Sequence, residues 1–222
     1  MKRETFCIAL ALVVVTAAAP AMAQVQLDGD PANGPQVLDL KPAPEATEQL
    51  FRGDLVAEIG LGCSNPTGNS GGPNDWAQGV TATLSPPFGI ISTTYNIFTQ
   101  VSPNITAFSF VAWAGGASPG AELGREAGFP FGAGNHTANL GTPIVVSTPQ
   151  FFFGFNQPQT NVGMRIGLDT SSGSAGESFI RAPTCGVAAF LTVDSIGFPG
   201  NWVMAAVIDD TIPVELMNFD VD

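Results

Sequence analysis

A serine held between glycines is the sharpest chemical signal in this sequence. Gly68-Asn69-Ser70-Gly71-Gly72-Pro73 has the composition of an acyl-transfer nucleophile segment, where glycines let backbone N–H groups turn inward to stabilise an oxyanion. Such a serine needs a histidine and an acid in a workable order. The single histidine, His136, follows Ser70, which breaks the order His, Asp, Ser; the order Ser, acid, His leaves only Asp75, Glu122 and Glu126 for the acid. The same residues fit Gly-x-Ser-x-Gly, but that elbow leads from a strand into a helix, and Gly72-Pro73-Asn74-Asp75 does not open an ordinary helix. The favoured reading is a glycine-rich loop beside Cys63, with His136 a hydrogen-bonded loop residue in Gly134-Asn135-His136-Thr137.

The acidic residues offer a second chemistry. Asp28-Gly29-Asp30 begins like a calcium loop, yet Ala32 and Asn33 stand where an EF-hand needs an oxygen ligand and a glycine. Hard oxygen ligands suit calcium elsewhere too, and loops around Asp169 or Asp209-Asp210 are the places where a sandwich domain could hold a structural calcium; no other cofactor is expected. Glycoside hydrolysis needs two carboxyl groups facing one cleft, and no spacing here singles out such a pair. Glu122 and Glu126, four apart, read as solvated charges on a short turn.

Aromatic platforms for sugar rings are a third possibility. Trp113 and Trp202 fall in strand-like segments and read as packing residues, whereas Trp76, next to the glycine loop, is the candidate for an exposed stacking surface. Asn104-Ile105-Thr106 and Asn135-His136-Thr137 match the glycosylation sequon.

These residues must be positioned by a chain that reads as exported. Lys2 and Arg3 precede an apolar run from Phe6, and Ala21-Met22-Ala23 supplies a small-residue exit, so residues 1–23 predict a secretory signal with Gln24 as the new N-terminus. The apolar run is shorter than the roughly 20 residues a membrane span needs. After position 23 the chain carries five basic and eighteen acidic residues, a net charge of −13. Such a surface disfavours nucleic acid and anionic lipid, which are gripped by Lys and Arg. Two cysteines remain, Cys63 and Cys185, and an even count in an oxidising compartment predicts a disulfide between them. Two cysteines and one distant histidine make a poor zinc set.

Glycine (26) and proline (18) are abundant, which favours short strands and turns over helices. Period-2 patterning recurs at 55–61, 80–84, 90–101, 105–113, 144–146, 151–155, 162–168, 186–193 and 202–208. The best helical stretch, 121–127, is one or two turns. The expectation is an all-β, two-sheet, jelly-roll-like β-sandwich of about nine to eleven strands over 51–211, preceded by a flexible leader at 24–50 and followed by a tail at 212–222.

The segments Ala107-Phe108-Ser109-Phe110-Val111-Ala112-Trp113, Pro119-Gly120-Ala121-Glu122-Leu123, Phe151-Phe152-Phe153-Gly154-Phe155, Gly167-Leu168-Asp169-Thr170 and Ser178-Phe179-Ile180 together resemble a group of uncharacterised bacterial secreted β-sandwich domains. Ile212-Pro213-Val214-Glu215-Leu216-Met217-Asn218-Phe219 is similar to a segment that often precedes sorting signals in surface and secreted proteins. The resemblance implies a fold and a compartment, and carries over no catalytic residue. The expectation for function is a non-catalytic secreted or periplasmic module, structural or binding, with a glycan or a cell-envelope protein as partner. A hydrolase whose site sequence does not mark is the rival, and self-association through edge strands is a third reading.

Overall fold

The computed structural model describes residues 26–30, 34–40, 47–64, 71–100, 102, 104–160 and 162–211, the first of these segments as backbone alone. Sixteen strands run through them: β1 Gln26–Asp30, β2 Gln36–Val37, β3 Thr47–Phe51, β4 Val56–Ala57, β5 Ile59–Ser64, β6 Asn74–Thr81, β7 Phe88–Gln100, β8 Ser109–Ala114, β9 Glu122–Ala127, β10 Gly134–Val146, β11 Gln150–Gln157, β12 Met164–Asp169, β13 Ser178–Ala182, β14 Val187–Thr192, β15 Asn201–Trp202 and β16 Met204–Asp209. The described residues contain no α-helix, only two 3-10 turns, Pro183–Cys185 and Asp194–Ile196. None of their helices is long and apolar enough to cross a membrane.

The strands form an all-β sandwich, as the patterning predicts. One sheet of eight strands follows the order β1-β5-β12-β7-β16-β3, with β10 on β7 and β15 on β12; a second of six follows β14-β13-β6-β11-β8-β9. Every pairing is antiparallel, so each strand presents alternate side chains to the two faces. On β11, Phe151, Phe153 and Phe155 point inward, and on β7 Phe88, Ile90, Tyr95 and Ile97 meet them from the opposite sheet. Phe108 stacks on Phe155 with centroids 4.8 Å apart, and Tyr95 lies 4.3 Å from Phe155. The Tyr95 hydroxyl donates to Pro130 O at 2.6 Å, which satisfies a polar atom that would otherwise be costly at this depth.

Both outer faces carry smaller apolar clusters. Outside the eight-stranded sheet, the β2–β4 pair brings Leu38, Leu55 and Ala57 onto Phe98 and Val203. Outside the six-stranded sheet, Ala77, Val111, Trp113, Phe152 and Phe179 pack under half-buried Phe190. This second layer explains why β8 and β11 carry apolar residues on both faces over much of their length, as β6 does at Trp76 and Ala77.

Four expectations are corrected. The described residues hold sixteen strands rather than nine to eleven, because two-residue strands such as β2, β4 and β15 carry no periodicity of their own. The stretch 24–50 is not simply a leader: β1 pairs with β5, β2 with β4, and β3 with β16, where Leu50 joins the main core. Residues 121–127 form no helical turn but β9, whose partner is β8; pairing with an open sheet edge outweighs the weak helical preference of so short a stretch. His136 lies in β10 opposite Tyr95 rather than in a loop. The signal at 1–23 and the tail at 212–222 lie outside the described residues.

Candidate functional site

The sequence-predicted residues fall into three places. The first is the seam between the sheets near the glycine-rich loop. Cys63 on β5 and Cys185 in the 3-10 turn after β13 form a disulfide, with Cα atoms 5.8 Å apart, that joins the two sheets. Ser64 and Gly71 close the intervening loop through an isolated bridge, and Gly72 N–H donates to Cys63 O at 3.2 Å. Ser70 lies outside the described residues. Trp76 does not face solvent beside this loop. It is fully buried on β6, and its indole N–H donates to Leu61 O at 2.9 Å, so the expectation of an exposed stacking platform is overturned. Trp202 is equally buried, donating to Phe179 O at 3.0 Å. The reason is parity: Trp76 opposes Phe155 and Ile180 on the inner face, a register fixed by residues far away in sequence.

The second place is Asp169, the end of β12. One of its carboxylate oxygens accepts the N–H groups of Ser171 and Ser172, both at 3.0 Å, and the Ser171 hydroxyl at 3.2 Å. The other accepts Asp54 N–H at 3.0 Å and the Ser172 hydroxyl. Asp54 and Glu58 stand close by, with one carboxylate oxygen from each of the three acids within 4.8 Å of the others. Glu58 itself accepts Thr170 N–H at 2.8 Å, and Asp54 accepts Val56 N–H at 3.0 Å. These donors tie the turn after β12 to the turn before β4. Gly53, at φ +70°, completes the fit: a Cβ there would overlap an Asp169 oxygen. Asp209 and Asp210 do not join this group. Asp209 closes β16 and accepts the Thr211 N–H at 2.7 Å and hydroxyl at 2.6 Å, and Asp210 is exposed.

Burial pulls the Asp169 carboxyl upward, but the hydrogen bonds from Ser172, Asp54 and Ser171 outweigh it and hold the group below its ordinary value. A depressed folded pKa gives stability that is present above the unfolded value and lost as pH falls through the folded one. Asp169→Asn is therefore expected to cost about 2–3 kcal/mol at pH 7 and to flatten the part of the acid-unfolding curve below about pH 4. Urea denaturation of both chains from pH 2.5 to 7 checks this; equal stability loss at every pH would refute it.

The third place was not marked by sequence. A polar row crosses the outer face of the six-stranded sheet. Arg181 on β13 and Asn156 on β11 both pair in register with Asp75 on β6. The Asp75 carboxylate, buried, accepts Arg181 Nε and Asn156 Nδ2, each at 2.9 Å. Asn156 Oδ1 accepts Arg125 Nη1 at 2.6 Å, and Arg125 also donates to both oxygens of Glu122, at 3.0 and 2.8 Å. Residues three apart on a flat strand face opposite ways; the bulge in β9, where Ala112 opposes Gly124 and Trp113 opposes Glu122, brings Glu122 and Arg125 to the same face. The hydrogen bonds from Arg125, with the charges of Arg125 and Arg181, hold the Glu122 carboxyl below its ordinary value against a burial effect that raises it. The Arg181 guanidinium lies 5.0 Å from the Phe190 ring centre, and Phe190 meets Trp113 edge-on at 5.5 Å. Beside the row, an open groove of about 510 Å³ between β9 and β10 is lined by Leu123, Arg125, Glu126, Ile144 and Val145 among others. Nothing local in the sequence joins Arg181 to Asp75 across 106 positions; only the register does.

Fold and sites together define an all-β sandwich with loops braced by side-chain hydrogen bonds and one inter-sheet disulfide. No protein-family model, curated protein or solved structure matches this chain.

Proposed function

We propose that this chain is a non-catalytic secreted β-sandwich module with a structural or binding role outside the cytoplasm, needing no cofactor. One observation carries the reading: among the described residues, the buried or half-buried groups Asp75, Asp169, Tyr95 and His136 are each engaged in a bond that braces the fold. Asp75 holds Arg181 and Asn156, Asp169 gathers the two loops, Tyr95 is tied to Pro130 O, and His136 Nε2 is 2.6 Å from Gly132 O. Catalytic groups instead keep a lone pair or proton directed into a cleft. The Cys63–Cys185 disulfide supports an oxidising compartment, and the acidic charge disfavours nucleic acid as a partner. A glycan or a cell-envelope protein fits the polar outer face better than a membrane does.

The test has two arms. Expressed with its own leader, the protein is expected in the exported fraction with Gln24 at its N-terminus, and with the same melting midpoint in calcium and in EGTA. Purified, it is expected to turn over none of a panel of esters, peptides and glycosides. Turnover abolished by a single substitution, or retention in the cytoplasm, would sink the proposal.

A further inference from the structure

We infer that the outer face of the six-stranded sheet is a carbohydrate-binding face, on which Arg181, Arg125 and Glu122 take the vicinal hydroxyls of a neutral saccharide. The inference rests on the reading of the chain as a binding module and names its ligand class.

The arrangement is that of a prepared surface. Arg181, Arg125 and Glu122 keep 42%, 38% and 41% of their side-chain surface exposed, while the residues that aim them, Asp75 and Asn156, are buried beneath. Burying a carboxylate under an arginine is costly unless its partners are in place, and here Asp75 accepts Arg181 Nε and Asn156 Nδ2, while three hydrogen bonds, one to Asn156 and two to Glu122, orient the Arg125 guanidinium. Arg181 uses its Nε in this, and among the described residues no hydrogen bond engages its Nη atoms; its guanidinium lies over the Phe190 ring. Sugar hydroxyls donate and accept at once, so a surface that alternates arginine donors with a carboxylate acceptor suits adjacent hydroxyls on a ring.

Charge selects neutral over acidic glycans. Arg181 is balanced by Asp75 and Arg125 by Glu122, so the row has no net attraction for an anion. The whole chain, at −12, repels one. The row also has the apolar neighbour that a pyranose C–H face needs: half-buried Phe190, held edge-on against Trp113. Ala77, Gly154 and Val111 pair across three strands in the next row, where Ala77 and Val111 are buried in the cluster with Trp113, Phe179 and Phe190. At the β9 end, exposed Leu123 and Val145 extend the surface along the open groove.

The experiment is titration calorimetry of the full secreted chain with cello-, malto-, xylo- and manno-oligosaccharides, and with oligogalacturonate as the acidic control. Wild-type protein is expected to bind at least one neutral series and to bind oligogalacturonate more weakly. Arg181→Lys keeps the charge beside Asp75 but loses the planar fork, and Glu122→Gln keeps the side chain's size but replaces one of the two half-exposed oxygens that Arg125 holds. Each is expected to weaken binding about tenfold while the melting midpoint stays within a few degrees of wild type. A purely structural row would instead move the midpoint in step with affinity. Absence of binding to any neutral series at millimolar ligand, preference for the acidic oligomer, or affinity untouched by both substitutions would overturn the inference. Silence with no turnover leaves the non-catalytic module standing; turnover of any oligosaccharide removes that reading as well.

Discussion

Replacing Cys63 and Cys185 together by alanine is expected to lower the free energy of unfolding by roughly 4–5 kcal/mol, with the melting midpoint falling by about 10–20 °C. The disulfide closes a separation of 122 residues, so its removal releases more unfolded-chain entropy than a short-loop bond would. Position adds to length. Cys63 belongs to the eight-stranded sheet and Cys185 to the turn between β13 and β14 of the other, so the bond fastens one end of the sandwich across its core. Asn74 reinforces the same corner: its Oδ1 accepts Cys63 N–H at 2.9 Å and its Nδ2 donates to Gln157 at 3.2 Å. Guanidinium titrations of oxidised wild type and the double variant check the figure. A larger dependence on denaturant in the variant would mark the expanded unfolded state expected of an unlinked chain. A loss under 1 kcal/mol would mean that the corner is held by Asn74 and the surrounding sheet alone.

Much of the fold is legible because a half-buried strand declares itself every second residue. Phe151, Phe153 and Phe155 name one inner face, and the apolar alternation from Val162 to Leu168 names another; both appear as β11 and β12. The cysteine pair is equally plain, since two cysteines allow one pairing. What stays hidden is whatever depends on register. β9 has polar, small and charged residues because it is an edge, and its burial alternates only weakly. Leu50 sits in the core, yet nothing within five residues of it signals a buried strand. The outer faces mislead for a related reason: Phe152, Val111 and Phe179 are apolar on the side expected to face water, since a second cluster covers them. Asp169 was visible as a loop carboxylate, but sequence could not show that backbone N–H groups from 54, 171 and 172 converge on it. The Arg181–Asp75–Asn156–Arg125 row needs four separate strand pairings to exist at all, so no window along the chain contains it.

Trp76→Ala carries the other large expected effect, and its sign separates a core residue from a ligand contact. Trp76 has no exposed surface, and it opposes Phe155 and Ile180 on the inner face of the six-stranded sheet. Removing the indole leaves a cavity between close-packed aromatics, at a cost of about 3–5 kcal/mol. It also leaves Leu61 O without the N–H that now reaches it at 2.9 Å, a further cost of about 1–3 kcal/mol for an unpaired buried acceptor. Trp76→Phe keeps most of the volume and loses only that hydrogen bond, so it is expected to fall between wild type and the alanine variant. Thermal and denaturant unfolding of the three chains checks the order. Acrylamide quenching gives an independent reading, because an indole at this depth is shielded in the native state and contributes little to the quenched emission. If Trp76→Ala melted with wild type and also removed a strongly quenched component, the indole would lie at the surface. The inner-face register of β6 would then be wrong by one residue, moving Asp75 off the outer row and taking the Arg181 pairing with it.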